Sequence, residues 1–258
     1  MFRPYNRNVL IDNWLEDRAL EEDIIKDYLD KKSKGELASQ KALSNQITSV
    51  NLTTVNDHKV HSGDVIMLKC DGNINAPSPL LPKAYRDDCF VICNGGSAGG
   101  ITTLSPSNIS SFIIKSVDGS PLGSPIKFGQ PFIITTLDGA NFLHSDPLSY
   151  DKAARRSRLQ IVDFAPVYNH ECDWVATCLN PKFRLETEGA DIPANEKIVI
   201  LNMKTNKALA VVCDFNNKSR FEIVANTFLD SHKAEEDVNH WKIVTNLPVV
   251  PEPETTEN

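Results

Sequence analysis

Three short stretches of the chain carry the same order of apolar and polar positions. They are VHSGDVIML (60–68), IKFGQPFII (126–134) and IPANEKIVI (192–200). In each stretch a turn residue, Gly63, Gly129 or Asn195, precedes apolar residues at every second position, and these turn residues stand 66 positions apart in both steps. Because side chains alternate between the two faces of a strand, the pattern predicts three equivalent strands, each with one face turned inward.

Other strand patterns recur in the same order between Gly, Pro, Asn and Asp residues. Three runs begin with an aromatic residue, at Phe112, Trp174 and Trp241. SRLQIV (157–162) matches SRFEIV (219–224), and FVI (90–92) is a candidate first copy. Four strands in each of three units predict a mainly β fold, a β-trefoil, and the strand motifs resemble the trefoil repeats called MIR. Two questions stay open: whether a copy near 47–52 or the Trp241 strand closes the barrel, and whether the strands form an immunoglobulin-like sandwich instead.

The N-terminal region has a helical pattern from Asn13 to about Ser44. Its apolar stripe recurs at three- and four-residue spacing and consists of Leu20, Ile24, Ile25, Tyr28 and Leu29. Gly35 is expected to end or break the helix, and a second short helical piece is expected over 36–43. We therefore predict an N-terminal segment with a helical arm (1–45), a β-trefoil-like domain (46–247) and a disordered Pro/Glu tail (248–258). Whether the helix packs on its own domain or on a partner stays open.

Composition and charge argue against several classes of function. The formal net charge is -7, whereas a general nucleic-acid binder needs a surplus of Lys and Arg. No run approaches the roughly 18 apolar residues that span a bilayer, and polar residues interrupt the N-terminus before a secretory signal forms. We therefore expect no nucleic-acid or membrane partner, and we expect the six cysteines to be free thiols in a reducing compartment.

Candidate chemistry is sparse. The loop CNGGSAGG (93–100) lacks the glycine register and the lysine of a phosphate-binding loop, and we expect a flexible surface insertion there. Structural zinc sites show paired ligand spacings that are missing among Cys89, Cys93, His170, Cys172 and Cys178. The sequence contains no nucleophile elbow. We expect no enzymatic activity, cofactor or metal, and we expect Trp174 and Trp241 to lie in the core.

One basic run stands out in this acidic chain. KAARRSR (152–158) supplies Lys152, Arg155, Arg156 and Arg158. Arginine presents a forked set of donors that suits carboxylates, so the run is a candidate surface for an acidic partner. The alternative is a solvated loop with local ion pairs, which are individually weak.

Several ordered motifs resemble a single ciliary family. They are IDNWLED (11–17), LEE (20–22), KDYLDK (26–31), KGEL (34–37), ANEKI (194–198), TNKALA (205–210), NTFLDSH (226–232) and NHW (239–241). Together they are similar to the cilia- and flagella-associated protein 161 family, from about Val9 to Leu247, with less similarity over 73–111. The resemblance implies a non-enzymatic microtubule inner protein of ciliary doublets. Such a protein binds the α/β-tubulin lattice on the lumenal side of the A-tubule, beside other microtubule inner proteins.

The resemblance suggests which residues contact tubulin. The candidates are Trp14 in the helical arm and, in the basic run, Lys152, Arg155, Arg156 and Arg158. A different class of function remains as the alternative, a soluble β-trefoil module that binds a ligand in the manner of MIR or lectin domains.

Overall fold

A computed structural model of the chain describes residues 12–37, 40, 44, 48–71, 89–101, 105–213 and 220–247. Within these residues lie helices α1 (Asp12–Ser33) and α2 (Arg184–Thr187), three short 3₁₀ turns and thirteen strands. The strands are β1 (Val65–Cys70), β2 (Cys89–Asn94), β3 (Ser97–Ile101), β4 (Phe112–Ser116), β5 (Pro131–Thr136), β6 (Phe142–His144), β7 (Gln160–Ile161), β8 (Asp163–Ala165), β9 (Trp174–Cys178), β10 (Lys197–Asn202), β11 (Lys207–Cys213), β12 (Arg220–Ala225) and β13 (Trp241–Val244). The chain divides into two units, Met1–Ile47 and Thr48–Asn258.

The N-terminal unit is built on α1. Its helix ends where Gly35 takes a left-handed φ of 72°, and the amide of Glu36 donates to the carbonyl of Lys31 at 2.8 Å. This pairing satisfies a carbonyl of the last helical turn, as in a Schellman cap. Lys31 also pairs with Asp27 one turn earlier. Most of the second helical piece predicted over 36–43 lies outside the described residues, as does the tail over 248–258. No helix in the described ranges is both long and apolar enough to cross a bilayer.

Six strands of the second unit close into a ring. β1 pairs with β4, β4 with β5, β5 with β9, β9 with β10, β10 with β13, and β13 with β1, all antiparallel. The Trp241 strand, β13, therefore closes the ring, which answers the question that the sequence leaves open. The thirteen strands belong to one hydrogen-bonded sheet, whereas an immunoglobulin-like sandwich has two.

The remaining strands form hairpins beside the ring. β2 pairs with β3, β11 pairs with β12, and β6 pairs with β8. The three hairpins meet because β3 pairs with both β12 and β8, and the short strand β7 also pairs with β12. FVI (90–92) lies in β2, the first strand of the β2–β3 hairpin, whereas the SRFEIV strand is β12, the second strand of the β11–β12 hairpin. By position, β2 therefore corresponds to β11 and β3 corresponds to β12. The predicted match of 90–92 to the SRFEIV strand was wrong.

Three equally spaced residues form a cycle of backbone hydrogen bonds. The amide of Val60 donates to the carbonyl of Ile192, that of Ile192 to Ile126, and that of Ile126 to Val60, at 2.8 to 3.0 Å. The turn residue that follows each of them has a left-handed φ, 100° at Gly63, 80° at Gly129 and 64° at Asn195. Glycine and asparagine tolerate this region best, which explains why these residue types recur at that place.

The predicted inward faces of the three strands are confirmed. Each supplies two side chains that are at most 1% exposed: Ile66 and Leu68, Phe132 and Ile134, Ile198 and Ile200. Full burial of such a side chain stabilises the fold by about 1.5–3 kcal/mol. The expected core position of both tryptophans is also confirmed. Trp174 donates to the carbonyl of Leu143 at 2.9 Å, and Trp241 to that of Leu209 at 2.8 Å.

The glycine-rich stretch 93–100 forms an ordered hairpin, so the expectation of a flexible insertion was wrong. Gly95 and Gly96 take φ values of 58° and 88° in the two-residue turn between β2 and β3. Positive φ at both central residues is what a type I′ hairpin turn requires. A Cβ on Gly100 would lie 2.5 Å from the Sγ of Cys89. The glycines therefore serve the turn and close sheet packing.

Candidate functional site

The basic run lies in the connection between β6 and β7, where the sequence folds into a tight turn. The amide of Arg158 donates to the carbonyl of Ala154 at 3.1 Å, and the amide of Ala154 donates to the carbonyl of Leu159 at 2.8 Å. Ala154 is 2% exposed and packs with Ala210 and Val224. This anchored methyl group fixes the position of the run on the β domain.

A carboxylate from β12 holds the same turn. Glu222 accepts from the backbone amide of Arg156 at 3.3 Å and from that of Ser157 at 3.0 Å. Both hydrogen bonds go to backbone amides, so neither of them uses the side chain of Arg155 or Arg156. The turn is thus fixed at both its apolar and its polar side.

The four basic side chains predicted as contacts are exposed on this turn. Lys152 pairs with Asp146 at 2.9 Å, while no carboxylate of the described residues lies within 4 Å of the guanidinium of Arg155 or Arg158. Arg158 takes a left-handed φ of 57° at the end of the turn. The structure therefore places the four basic residues in one short, exposed connection. Trp14 lies in α1, but its side chain is outside the described residues.

A cleft of about 530 Å³ opens beside the basic run. Its walls come from the hairpin turn (96–98), the basic run (154–156), the β7–β8 junction (161–163) and β12 (221–223). The three strand segments meet here because β12 pairs with β3 at Phe221 and with β7 at Val224. We call this the basic cleft. Its polar groups include Arg155 and Arg156 on one wall and Asp163 on another.

Below the run lies a network of charged side chains around His144, which was not predicted. His144 is 6% exposed. Its Nδ1 lies 2.7 Å from an Asp163 oxygen, and its Nε2 lies 3.1 Å from a Glu171 oxygen and 3.8 Å from an Asp146 oxygen. The hydrogen bond to Asp163, above all, raises the pKa of His144, although burial opposes the shift.

Two lysines complete the His144 network. Lys152 lies 2.9 Å from Asp146, and Lys204 lies 2.6 Å from Glu171. The hydrogen bond from Lys204 is the main reason why the pKa of Glu171 is lowered. Three carboxylates thus face two ammonium groups and an imidazole whose pKa is raised. The network ties the start of the basic run to β6, β8 and the turn that precedes β9.

His144, Asp146 and Glu171 also have the spacing of a metal-binding group, since one ligand atom from each lies within 4.8 Å of the others. The two carboxylates already bind Lys152 and Lys204. A divalent cation would have to displace both ammonium groups. The charge balance therefore favours an ion-pair network over a metal centre.

None of the five cysteines with described side chains forms a disulfide bond with another described residue. Burial raises the pKa of Cys93 and of Cys172, which keeps both protonated and weakly nucleophilic. Within the described ranges, the group of side chains with metal-binding spacing contains no cysteine. These residues are better explained as small apolar side chains than as a reactive site.

Comparison with known proteins places the chain in a family. A model of the cilia- and flagella-associated protein 161-like domain matches residues 152–246. Cilia- and flagella-associated protein 161 of Danio rerio is 36% identical over 95% of this chain and 89% of its own length. This chain belongs to the cilia- and flagella-associated protein 161 family. The members from Mus musculus and Bos taurus are 35% and 32% identical, over 95% of this chain and 89% and 83% of their own lengths.

The family name associates these proteins with cilia and flagella, and it names no enzymatic activity. Among solved structures, the SDF2-like protein from Arabidopsis thaliana aligns with a TM-score of 0.52 at 14% identity. It covers 74% of this chain and 98% of its own. A Caenorhabditis elegans protein of unknown function aligns with a TM-score of 0.51 at 15% identity, over 73% of this chain and 97% of its own. These two likenesses show the fold alone.

Proposed function

We propose that this protein is a structural, non-enzymatic microtubule inner protein. In this proposal it binds the α/β-tubulin lattice on the lumenal side of the A-tubule of ciliary and flagellar doublets, beside other microtubule inner proteins. There it stabilises the axoneme and supports motility. The observation that carries the proposal is membership of a family named for association with cilia and flagella, over 95% of the chain.

The proposal treats residues 46–247 as a β-trefoil that serves as a rigid body. The closed ring of six strands and the hydrogen-bond cycle of Val60, Ile126 and Ile192 support a threefold arrangement. Residues 1–45 then act as an arm and 248–258 as a tail. A rigid body with an arm suits a repeating lattice, where weak contacts at fixed spacing add by multivalency without a deep pocket.

The basic run supplies the proposed contact with acidic residues of tubulin. Its backbone is held by Ala154 and Glu222, so Arg155, Arg156 and Arg158 lose little conformational freedom of the backbone on binding. Exposed ion pairs contribute up to about 1 kcal/mol each. Three such contacts would shift the dissociation constant by about a hundredfold if all were made fully.

Reversal of the three arginines tests this contact. The triple variant Arg155→Glu, Arg156→Glu, Arg158→Glu is expected to bind microtubules at least about tenfold more weakly in co-sedimentation. Its melting temperature should be nearly unchanged, because exposed substitutions usually alter stability by less than about 0.5 kcal/mol. Binding equal to that of the unmodified protein would reject the basic contact.

A charge-matched control separates this surface from net charge. The variant Lys127→Glu, Lys182→Glu, Lys207→Glu changes three other exposed residues by the same total charge. It should bind nearly as well as the unmodified protein. The location itself is tested in isolated axonemes, where the protein should remain on salt-washed doublets at a regular spacing. Recovery entirely in the detergent-soluble fraction would contradict the proposal.

The basic cleft favours one second candidate, a ligand-binding β-trefoil module. A cleft of about 530 Å³ with arginine and carboxylate groups on its walls is large enough for a sugar or a phosphorylated headgroup. This function predicts binding to a defined ligand on a glycan or phosphoinositide array, weakened by Arg155→Ala. If the protein binds no ligand on either array, the ligand-binding function is rejected.

A further inference from the structure

Three lysines stand side by side on the outer face of the ring, where β13 closes it. Lys69 in β1 and Lys197 in β10 are each a direct cross-strand partner of Lys242 in β13. Their side chains are 21%, 40% and 27% exposed. Alternation turns one neighbour of each lysine inward, where at most 1% is exposed: Leu68, Ile198 and Ile243. We call the three lysines the lysine row; it shares no residue with the basic run.

The lysine row contains more positive charge than its nearest carboxylate can neutralise. Like charges that stand directly opposite on neighbouring strands destabilise a sheet. An Asp71 oxygen, Oδ2, lies 2.9 Å from the Nζ of Lys242 and 3.5 Å from that of Lys197, and Oδ1 lies 3.7 Å from that of Lys69. No other carboxylate of the described residues lies within 4 Å of the ammonium groups of Lys197 and Lys242. Together with Asp71, these two lysines therefore keep a net positive charge.

Asp71 is itself committed to the lysines. Burial raises its pKa, but the hydrogen bond from Lys242 and the charges of the three lysines outweigh burial, so the pKa of Asp71 is lowered. The carboxyl is therefore charged at neutral pH and holds the row in place. It does so from one side chain, which leaves the excess charge to be met from outside.

Two equivalent rows in the same ring show that strand pairing does not need lysines at these positions. The 66-residue spacing relates β1, β5 and β10, and the strand between each pair contributes the middle residue. The equivalent rows are Val65, Ile113 and Thr135, and Pro131, Val175 and Leu201. Both have the same cross-strand register as the lysine row, and neither contains a charged residue. Positions that break a local rule while their equivalents obey it are expected at functional sites.

From this asymmetry we infer that the lysine row binds an acidic segment of a partner protein, whose carboxylates pair with Lys197 and Lys242. The row crosses three strands, about 10 Å, which an extended segment of three or four residues covers. It lies on the side of a sheet and does not line the basic cleft, so a polypeptide laid across it fits better than an enclosed small anion. The net charge of -7 opposes a nucleic acid. The inference does not rest on the proposed tubulin contact.

The test uses the full chain and a fluorescent peptide of about eight residues in which Glu alternates with Ser, with a Gln-for-Glu peptide as the probe control. Fluorescence anisotropy at low ionic strength should show binding of the Glu peptide alone, weakened as salt screens the charges. Lys197→Gln with Lys242→Gln should weaken this binding at least about fivefold, because each exposed ion pair contributes up to about fivefold. Lys127→Gln with Lys182→Gln, two exposed lysines outside the row, should alter it less than about twofold.

Two further measurements locate the peptide and exclude a folding defect. Carbodiimide coupling joins carboxylates to adjacent amines, and mass spectrometry should find the peptide on Lys197 or Lys242. Lys197→Gln alone leaves the 2.9 Å pair of Lys242 with Asp71 in place. This single variant should keep the melting temperature nearly unchanged and still weaken binding about two- to fivefold.

Four results would each overturn the inference. Equal binding of the Gln peptide, or unchanged binding by the double variant, shows that the row does not recognise carboxylates. Coupling to Lys152 with loss of binding in the arginine triple variant places the peptide on the basic run. Binding that appears only after removal of 248–258, which contain three glutamates, makes the chain's own tail the occupant. Binding to phosphoinositide vesicles without binding to the peptide makes a membrane the partner.

Discussion

Replacement of His144 by glutamine tests the charged network beneath the basic run. The substitution His144→Gln keeps a hydrogen-bonding side chain of similar reach but removes the imidazole, which is positively charged below its raised pKa and faces Asp146, Asp163 and Glu171. Lys152 and Lys204 still neutralise two of these carboxylates. The variant therefore leaves one carboxylate, that of Asp163, without its cationic partner.

The expected cost is about 2 kcal/mol in the free energy of unfolding at pH 6. Removal of one partner from a fully buried ion pair costs about 3–5 kcal/mol. Asp163 is 37% exposed, so water screens part of the loss and the estimate falls below that range. For a unit of about 200 residues, this loss lowers the melting temperature by about 4–8 °C.

The effect has a defined dependence on pH. A pKa raised in the folded state contributes stability that is fully present below the unfolded value of about 6.5 and is lost as pH rises through the folded value. The difference between the unmodified protein and His144→Gln should therefore be largest near pH 6. It should shrink above neutrality toward the cost of a changed neutral hydrogen bond, about 1 kcal/mol.

Urea denaturation at several pH values measures this difference, and nuclear magnetic resonance of the imidazole proton follows the titration directly. His232→Gln changes an exposed histidine and is the matched control, with little expected change at any pH. Parallel pH profiles for the unmodified protein and His144→Gln, or a measured pKa of His144 below about 6.5, would refute the reasoning.

Two further substitutions test the packing of the β domain. Gly100→Ala places a Cβ 2.5 Å from the Sγ of Cys89. It should lower the free energy of unfolding, measured by urea denaturation, by about 1–3 kcal/mol. Gly99→Ala, with its nearest contact at 3.7 Å, is the control, and equal losses in both would contradict the packing argument. Trp241→Phe removes the 2.8 Å hydrogen bond to the carbonyl of Leu209 and leaves space in the core. It should lower the free energy of unfolding by about 1–3 kcal/mol and the melting temperature by several degrees. A melting temperature equal to that of the unmodified protein would show that this hydrogen bond and its packing contribute little.

The strand positions were accessible from sequence because they depend on local rules. Alternation at Phe132 and Ile134 marks the buried face of a strand, and the positive φ of Gly129 explains the glycine before it. The 66-residue spacing then identified equivalent strands without any knowledge of contacts. The glycine-rich stretch was misjudged because the close approach of Gly100 to Cys89 is a contact between neighbouring strands, which glycine content alone does not reveal.

The candidate surfaces were accessible only in part. The basic run was visible because its four cations are close in sequence. The His144 network joins residues up to 60 positions apart, from His144 to Lys204. The sequence does contain the charges, but it lacks any signal that these particular segments meet.

By itself, the sequence determined where the three equally spaced strands lie and which of their faces are apolar. These properties follow from alternation and turn chemistry within a few residues, where chain geometry leaves little freedom. Only the tertiary structure decided that β13 closes the ring against β1, and that His144 meets three carboxylates. Such long-range contacts depend on how the whole core packs, because the hydrophobic effect is non-directional and does not specify which apolar side chains become neighbours.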